Sequence, residues 1–165
     1  MSSSTPEAHS AAVITVSDSS ARGKREDLGG PAVVDALTRH SFHVVATEII
    51  PDEQTVIEDA LLRLCATARL VVTTGGTGVA PRDVTPEATE NVCDRLVPGI
   101  AERMRIAGTE KTKFAALSRA LCGTRGSSLI LNLPGSPKGA VESLEAVIDL
   151  LPHALQLLAG DTQHL

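Results

Sequence analysis

The sequence predicts a three-layer α/β fold, in which a mainly parallel sheet lies between two layers of helices. Two observations predict it. Apolar runs of strand length alternate with segments of helical periodicity. That alternation is typical of parallel strands joined by helices that cover both faces of a sheet. The length of 165 residues corresponds to about one domain with its own core. We therefore expect a Rossmann-like topology with a short antiparallel hairpin at the sheet edge.

Residues 1–10 are small and polar and are expected to form a disordered leader, followed by a single domain over residues 11–165. The apolar runs predict strands at residues 11–16, 42–50, 70–74 and 129–133. Apolar residues at helical spacing predict helices within residues 56–64, 88–96 and 141–155. Pro98-Gly99 breaks the middle helix, so a separate short helix is expected over residues 100–107. The edge hairpin is expected at residues 121–126.

The composition argues against several classes of protein. The chain has 15 basic and 20 acidic residues, a net charge of −5, and two Phe with no Tyr or Trp. We expect no nucleic-acid partner, because positive charge and aromatic stacking platforms are both lacking. Cys65, Cys93 and Cys122 are odd in number and lack C-x-x-C spacing, which indicates reduced core thiols and a cytoplasmic setting. No run approaches about 18 apolar residues, so no membrane span is expected.

The segment 73–87 is the most informative in the chain. It follows the apolar run 70–72 and leads into a predicted helix start, where Thr85 can cap and Pro86 suits the first helical position. Glycines between a strand and a helix N-terminus are typical of a phosphate cradle, although glycines alone would equally suit close helix–strand packing. The segment is not a dinucleotide fingerprint, because Pro81 stands where the third glycine is required, nor a Walker A loop, because no Gly-Lys-Ser/Thr follows.

Four loops leave the carboxyl ends of the predicted strands, at residues 17–27, 51–53, 75–83 and 134–138. A parallel sheet gathers such loops at one edge, so their side chains can face a common ligand. Together they supply hydroxyls, cations, carboxylates and glycine-turn amides, a mixture that suits phosphates with Mg²⁺. The side chains concerned are Ser17, Asp18, Ser19, Ser20, Asp27, Asp52, Thr77, Arg82, Asp83, Ser136 and Lys138.

The segment 73–87 resembles the signature of the molybdopterin adenylyltransferase family of MogA/MoaB type, which includes the G domain of gephyrin. The likeness spans the chain from about residue 11 to about residue 158. It rests on further segments in the family's order, at residues 15–19, 50–53, 117–119 and 132–139.

This resemblance implies a role in molybdenum cofactor biosynthesis: transfer of AMP from Mg-ATP to the terminal phosphate of molybdopterin, with release of pyrophosphate. Asp52 and Asp83 fall on the positions of the family's essential acidic residues, which makes them the expected catalytic residues and Mg²⁺ ligands. The resemblance also implies a homotrimer and hand-over of the product to a separate molybdate-inserting protein. The expected binding residues for molybdopterin and ATP are Ser17, Asp18, Asp27, Gly75, Gly76, Thr77, Gly78, Ser118, Asn132, Pro134, Gly135, Ser136 and Lys138.

Several of these positions have structural interpretations as well. Asp52 and Asp83 have the spacing of helix caps. Residues 17–20 suit a turn whose side chains bond their own backbone, and residues 133–137 suit a tight connection into the last helix.

The segment 23–30 is either a mobile flap that carries Asp27 or a solvated loop, and the role of the basic residues 22–25 beside it stays open. Arg119 suits either a surface salt bridge or the site. His40 and His43 are interpreted as a surface pair.

Three rival functions remain within reach of the sequence. One is a MoaB-type relative that binds the pterin with little transfer, and another is a scaffold role like that associated with gephyrin. The third is nucleotide pyrophosphate hydrolysis, as in competence-damage-type proteins. Their loop tends to carry Asp-Asp where this chain has Arg82-Asp83, which counts against the third.

Overall fold

A computed structural model describes residues 8–162. Six strands form one sheet: β1 Ser10–Val16, β2 His43–Ile50, β3 Leu70–Thr74, β4 Arg95–Leu96, β5 Cys122–Arg125 and β6 Ser128–Leu133. Their order across the sheet is β2-β1-β3-β6-β5-β4. The first four run parallel, whereas β5 is antiparallel to both of its neighbours. The expected parallel sheet with an antiparallel edge is confirmed.

Helices connect these strands and cover both faces of the sheet. They are α1 Asp18–Ala21, α2 Gly29–Arg39, α3 Gln54–Cys65, α4 Thr85–Val92, α5 Pro98–Thr109, α6 Pro137–Val147 and α7 Leu151–Leu158, with 3-10 turns at Lys113–Leu117 and Ile148–Leu150. Residues 1–7 of the expected leader lie outside the described residues, and its last residue, Ser10, begins β1.

The central strands have two cores, one on each face. Val13 of β1 belongs to a core cluster with residues from α2, α5, α6 and α7, whereas Ile14 belongs to a cluster with residues from α3 and α4. Every residue of β3 is buried, which a strand needs when helices cover both of its faces. Period-two alternation therefore persists even where the sequence is continuously apolar.

The edge strand β2 is different, because its side chains alternate between exposed and half-buried. Val45 and Ile49 are 45% and 48% exposed. An open groove runs between this strand and α2, lined in part by Val13, Val34 and Ile49. The fold thus leaves two apolar side chains of the edge strand uncovered within one chain.

Two predicted boundaries are corrected. Leu96 is not part of the α4 helix, because the backbone turns extended at Cys93 and Leu96 pairs with Gly123 of β5. Pro98 does separate two helices, but it begins the second one instead of preceding it. A proline suits this first turn because its missing N–H has no intrahelical partner there.

The three cysteines are free thiols. Burial raises the pKa of Cys65 and Cys93 to about 11 and that of Cys122 to about 12, which keeps all three thiols protonated at neutral pH. No helix within residues 8–162 is long and apolar enough to cross a membrane.

Candidate active site

The predicted loops meet at a switch point of the sheet. β1 lies between β2 and β3, and the chain leaves β1 toward one side and β3 toward the other. Diverging connections open a crevice beyond the carboxyl ends of the two strands, and ligands of open α/β sheets bind in such crevices.

The glycine loop, defined as residues 75–83, begins with a sharp turn. Gly75 and Gly76 both have positive φ, of 102° and 69°. A side chain on Gly75 would collide with the carbonyl oxygen of Val16 at the end of β1. The Gly75 amide donates to the Leu133 carbonyl at 3.0 Å, and the Thr85 hydroxyl donates to the Gly75 carbonyl at 3.0 Å. These contacts fix the base of the loop to β1, β6 and α4.

The cap interpretations of Asp52 and Asp83 are wrong. Glu53 and Val84 are the N-cap residues of α3 and α4, and neither helix start receives a side-chain cap hydrogen bond. Thr85, a predicted cap, lies inside α4 and uses its hydroxyl on the glycine loop. Helix capping therefore does not explain either carboxylate.

Asp18 and Asp52 hold each other through reciprocal hydrogen bonds. The Asp18 amide donates to Asp52 Oδ2 at 2.8 Å, and the Asp52 amide donates to Asp18 Oδ1 at 3.0 Å. Arg82 adds a two-point contact, from Nε to Asp18 Oδ2 at 2.6 Å and from Nη2 to Asp18 Oδ1 at 3.0 Å. The ends of β1 and β2 and the tip of the glycine loop are thereby joined.

The pKa values of Asp18 and Asp52 are shifted in opposite directions. The Arg82 guanidinium, through its hydrogen bond, holds the pKa of Asp18 below its usual value. Burial raises the pKa of Asp52, and repulsion by the charges of Asp18 and Asp83 adds to the rise. Asp52 is thus a partly desolvated carboxylate with two acidic neighbours.

Asp83 closes the tip of the glycine loop. Its Oδ2 accepts from the Ala80 amide at 3.0 Å, and its own amide donates to the Ala80 carbonyl at 2.9 Å. A Cβ on Gly78 would lie 2.8 Å from Asp83 Oδ2, so the glycine is required by the close approach of this carboxylate.

A polar cavity of about 390 Å³ lies on the β1 side of the crevice. Its wall includes hydroxyls, a guanidinium and several carboxyl groups. Polar groups in it are Thr15, Ser17, Ser20, Arg25, Glu26, Asp27, Asp52, Thr74, Asp83 and Ser136, together with the glycines Gly29, Gly75, Gly76 and Gly135.

An apolar cavity of about 470 Å³ lies on the other side, between the glycine loop, α5, α6 and the 3-10 turn 113–117. Its wall includes Ala101, Met104, Arg105, Phe114, Leu117, Ser118, Pro134, Glu142 and Ser143. Phe114 and Leu117 are 66% and 52% exposed, so a flat apolar ligand has surface to cover there.

The two cavities meet at Gly76, Asp83, Gly135 and Ser136, which line both. Ser136 caps α6, because its Oγ accepts from the Gly139 amide at 3.1 Å. The N-terminus of an eleven-residue helix therefore faces the junction, and its free N–H groups favour an anion.

Most of the predicted binding residues are brought together at these cavities. They are Ser17, Asp27, Gly75, Gly76, Thr77, Gly78, Ser118, Pro134, Gly135 and Ser136, along with Asp52 and Asp83. Ser17 also caps α1 by accepting from the Ser20 amide at 3.2 Å, so the turn interpretation of this segment is confirmed alongside its position in the cavity.

Three predicted residues are placed elsewhere. Asn132 is fully buried, and its amide nitrogen donates to the hydroxyls of Thr73 and Thr89, which makes it a structural residue of the core. Lys138 is 89% exposed and lies 3.9 Å from Glu142 Oε1, outside both cavities. Asp18 lines neither cavity; it is hydrogen-bonded with Asp52, and Arg82 binds its carboxylate.

The segment 23–30 is anchored at its end. Asp27 accepts from the Thr15 hydroxyl at 2.8 Å and from the Gly30 amide at 3.0 Å, and Gly29 and Gly30 are buried in the first turn of α2. Arg25 lines the polar cavity. His40 lies outside the site and contacts Glu145 at 2.8 Å, as a surface residue.

The apolar wall was not predicted from the sequence. Phe114 is one of only two Phe in the chain and follows the polar residues 109–113, which is a signal that could have indicated it. Its neighbours on the wall, Met104 and Ala101, follow helical spacing and are indistinguishable from core residues before the fold is known.

Within residues 8–162 no group of three or more His, Cys, Asp or Glu side chains is arranged to hold a metal ion. Asp52 and Asp83 both line the polar cavity. Two carboxylates are the number that Mg²⁺ commonly takes from a protein when it also binds substrate phosphates.

Comparisons with known proteins point the same way. Residues 12–153 match the family described as "probable molybdopterin binding domain". A molybdopterin adenylyltransferase of Helicobacter pylori (strain 26695) is 43% identical over 153 residues, 90% of this chain and 87% of that protein. One from Escherichia coli K12 is 41% identical over 164 residues, 90% of this chain and 84% of that protein. The crystal structure of the molybdopterin biosynthesis enzyme MoaB from Thermus thermophilus gives a TM-score of 0.87 at 51% identity, covering 92% and 97% of the two chains.

Proposed function

The chain belongs to the family of molybdopterin-binding domains whose model it matches over residues 12–153, and from that membership we propose that it is a molybdopterin adenylyltransferase of molybdenum cofactor biosynthesis. The reaction transfers AMP from ATP to the terminal phosphate of molybdopterin. The observation that supports this most directly is the pair of unlike cavities that meet at Gly76, Asp83, Gly135 and Ser136.

The apolar cavity suits the pterin and the polar cavity suits ATP. Phe114, Leu117 and Met104 offer apolar surface to a flat ring, while Ser17, Ser20 and Arg25 offer donors to phosphates. The reacting phosphates of the two substrates then meet at the shared wall, beside the N-terminus of α6.

The chemistry requires alignment more than a protein nucleophile. A terminal phosphate oxygen of molybdopterin forms a bond to the α-phosphorus of ATP while the bond to the pyrophosphate oxygen breaks. That oxygen is already anionic, so no activated serine or cysteine is needed. The task of the residues at the junction is to hold two polyanions in line and to offset their repulsion.

Mg²⁺ is expected to accompany ATP, with Asp52 and Asp83 as its protein ligands. These residues fit a cation, because both carboxylates line the polar cavity and carboxylate oxygens are ligands that Mg²⁺ prefers. A bound divalent ion would neutralise charge on the transferred phosphate. Asp83, near the shared wall, would orient the α-phosphate, and Asp52 would hold the nucleotide side.

A second candidate is pterin binding with little transfer, as in a MoaB-type relative. The 51% identity to the Thermus thermophilus enzyme described as MoaB favours keeping it. Both candidates use the same apolar cavity, so binding of the pterin alone does not distinguish them.

An assay of adenylyl transfer separates these functions. We expect ATP consumption and AMP transfer only when molybdopterin is present, with loss of transfer but not of pterin binding in EDTA, and recovery on adding Mg²⁺. Pterin binding without transfer would support the second candidate. ATP hydrolysis without molybdopterin would indicate a pyrophosphatase, and transfer in rigorously metal-depleted buffer would contradict the metal roles of Asp52 and Asp83.

Further features of the proposal come from the family resemblance. The protein is expected to work in the cytoplasm, where its free cysteines stay reduced, and to assemble as a homotrimer. Its product is expected to pass to a separate molybdate-inserting protein.

A further inference from the structure

Arg119 joins the two arms of the glycine loop. Its Nε donates to the Gly78 carbonyl at 2.7 Å, and its Nη2 donates to the Asp83 carbonyl at 2.7 Å. Its Nη1 donates to Glu87 in the first turn of α4. The backbone amide of the same residue donates to the Thr77 carbonyl at 2.8 Å.

These bonds act where the loop has few others. Residues 79–82, between the two carbonyls that Arg119 contacts, are all exposed. The bonds between Asp83 and Ala80 lie inside the loop, so they fold its tip without fixing it to the sheet. The Arg82–Asp18 pair fixes the tip from the opposite side, but the Arg82 side chain is 59% exposed, and exposed pairs contribute little.

Arg119 also follows directly on the wall of the apolar cavity. Ser118, its neighbour in the chain, lines that cavity together with Leu117. The residue therefore connects the wall of one cavity to the loop that carries Asp83. A planar guanidinium suits this task because its several N–H donors are set in a rigid fork.

We propose that Arg119 is a positioning residue, which holds the glycine loop so that the Asp83 carboxylate faces the junction of the two cavities. The kinetic consequence of this role rests on the proposed adenylyl transfer. The contacts between Arg119 and the loop do not depend on that proposal. The side chain acts through Asp83 and lines neither cavity.

A double-mutant cycle tests the proposal. Asp83→Ala is expected to lower kcat by about 10²-fold to 10³-fold, the usual loss for a group that stabilises the transition state. Arg119→Ala is expected to lower kcat by about 10²-fold through misplacement, while the KM for molybdopterin changes by less than about threefold. If Arg119 acts through Asp83, adding Arg119→Ala to Asp83→Ala costs less than about threefold more. Losses that multiply, or an unchanged kcat in folded Arg119→Ala, would overturn it.

A matched control is Arg69→Ala, because Arg69 also donates to two backbone carbonyls, of Ser127 and Leu155, far from the loop. Its kcat is expected to stay within about twofold of wild type. Arg119→Lys is the second variant in case Arg119→Ala does not fold. A single ammonium cannot reach all three acceptors, so its kcat is expected to lie between those of Arg119→Ala and wild type. Wild-type kcat in Arg119→Lys would contradict the need for the fork.

A measurement that does not depend on catalysis tests the role of Arg119 separately from the proposed function. Amide hydrogen exchange in residues 76–83 is expected to quicken by at least about tenfold in Arg119→Ala or Arg119→Lys and to stay unchanged in Arg69→Ala. If the wild-type protein transferred no AMP, the proposed function would fail while exchange still decided the role of Arg119. Unchanged exchange in the loop would refute the positioning role.

Discussion

Asp52 is the residue whose charge the fold disfavours. Burial and two acidic neighbours raise its pKa, so the folded protein binds this proton more tightly than the unfolded chain does. A raised carboxyl pKa means that stability is lost as pH rises from the unfolded pKa through the folded one. The carboxylate therefore costs stability at neutral pH, which is typical of a group kept for catalysis.

The first prediction concerns Asp52→Asn. The amide oxygen can still accept from the Asp18 amide, which now donates to Asp52 Oδ2 at 2.8 Å, while the charge is removed. We expect AMP transfer to be lost and Tm at pH 7 to rise, because the uncharged amide escapes the burial and the repulsion that disfavour the carboxylate. Thermal melting between pH 3 and pH 7 should show the two proteins converging at the acid end and separating as pH rises. A less stable Asp52→Asn at pH 7 would contradict the assignment.

At the scale of single residues, the sequence located the carboxylates but not all of their surroundings. Asp52 and Asp83 follow strands, and strand ends are readable from apolar runs. Asn132, which was predicted as a ligand contact, is fully buried and donates to Thr73 and Thr89, which come from a different strand and a helix. A side chain's direction relative to a cavity is set by packing that no local pattern records.

Among the elements, the glycine loop is the part most sensitive to a single added atom. A Cβ on Gly76 would collide with the Thr85 hydroxyl and lie 3.2 Å from Asp52 Oδ1. The residue also has φ of 69°, where a β-branched side chain is strained.

The second prediction is therefore that Gly76→Val weakens molybdopterin binding by at least about tenfold, because the loop must move to admit the side chain and its backbone then no longer lies where it would approach the phosphate. Fluorescence or calorimetric titration of the pterin measures it. Gly99→Ala is the control, because a Cβ on Gly99 would meet no atom of residues 8–162 within 4 Å apart from its own chain neighbours and helix backbone. Equal affinities for Gly76→Val and wild type would move the pterin pocket away from this loop.

The positions of helices and strands were predictable where the apolar periodicity is strong. They were not predictable where glycines interrupt that periodicity. Helix α2 starts Gly29-Gly30-Pro31, which looks like a loop in the sequence. In the structure a Cβ on Gly29 would lie 3.3 Å from the Gly135 carbonyl, so the glycines let the helix start approach the site. The 3-10 turn that forms the apolar wall has no periodicity of its own, and only its docking against α5 defines the cavity.

For the whole molecule, the layer architecture followed from alternation alone, because a parallel sheet must be covered on both faces. The alternation of strands and helices does not predict how the edge of the sheet is covered. β2 is eight residues long and leaves Val45 and Ile49 half exposed, an arrangement that monomeric proteins usually avoid.

The third prediction is that the protein forms a trimer with this edge in the interface. Light scattering after size exclusion should give about three times the monomer mass of 17.2 kDa. Ile49→Glu should shift the mass toward the monomer, whereas Leu62→Glu, at a residue 40% exposed on α3, should not. A monomeric wild-type protein would refute the trimer. A trimeric Ile49→Glu variant would show that the interface lies elsewhere on the protein.

The shared wall of the two cavities has a consequence for the end of the reaction. Adenylyl-molybdopterin joins in one molecule the two groups that the substrates bring separately, so on the proposed assignment of the cavities it would fill both at once. Each half keeps the other at a high effective concentration, and the product is then held more tightly than either substrate. Release of the product, more than the chemical step, would then limit turnover. Such an enzyme would also act as a carrier, one that retains its product until the expected acceptor protein takes it.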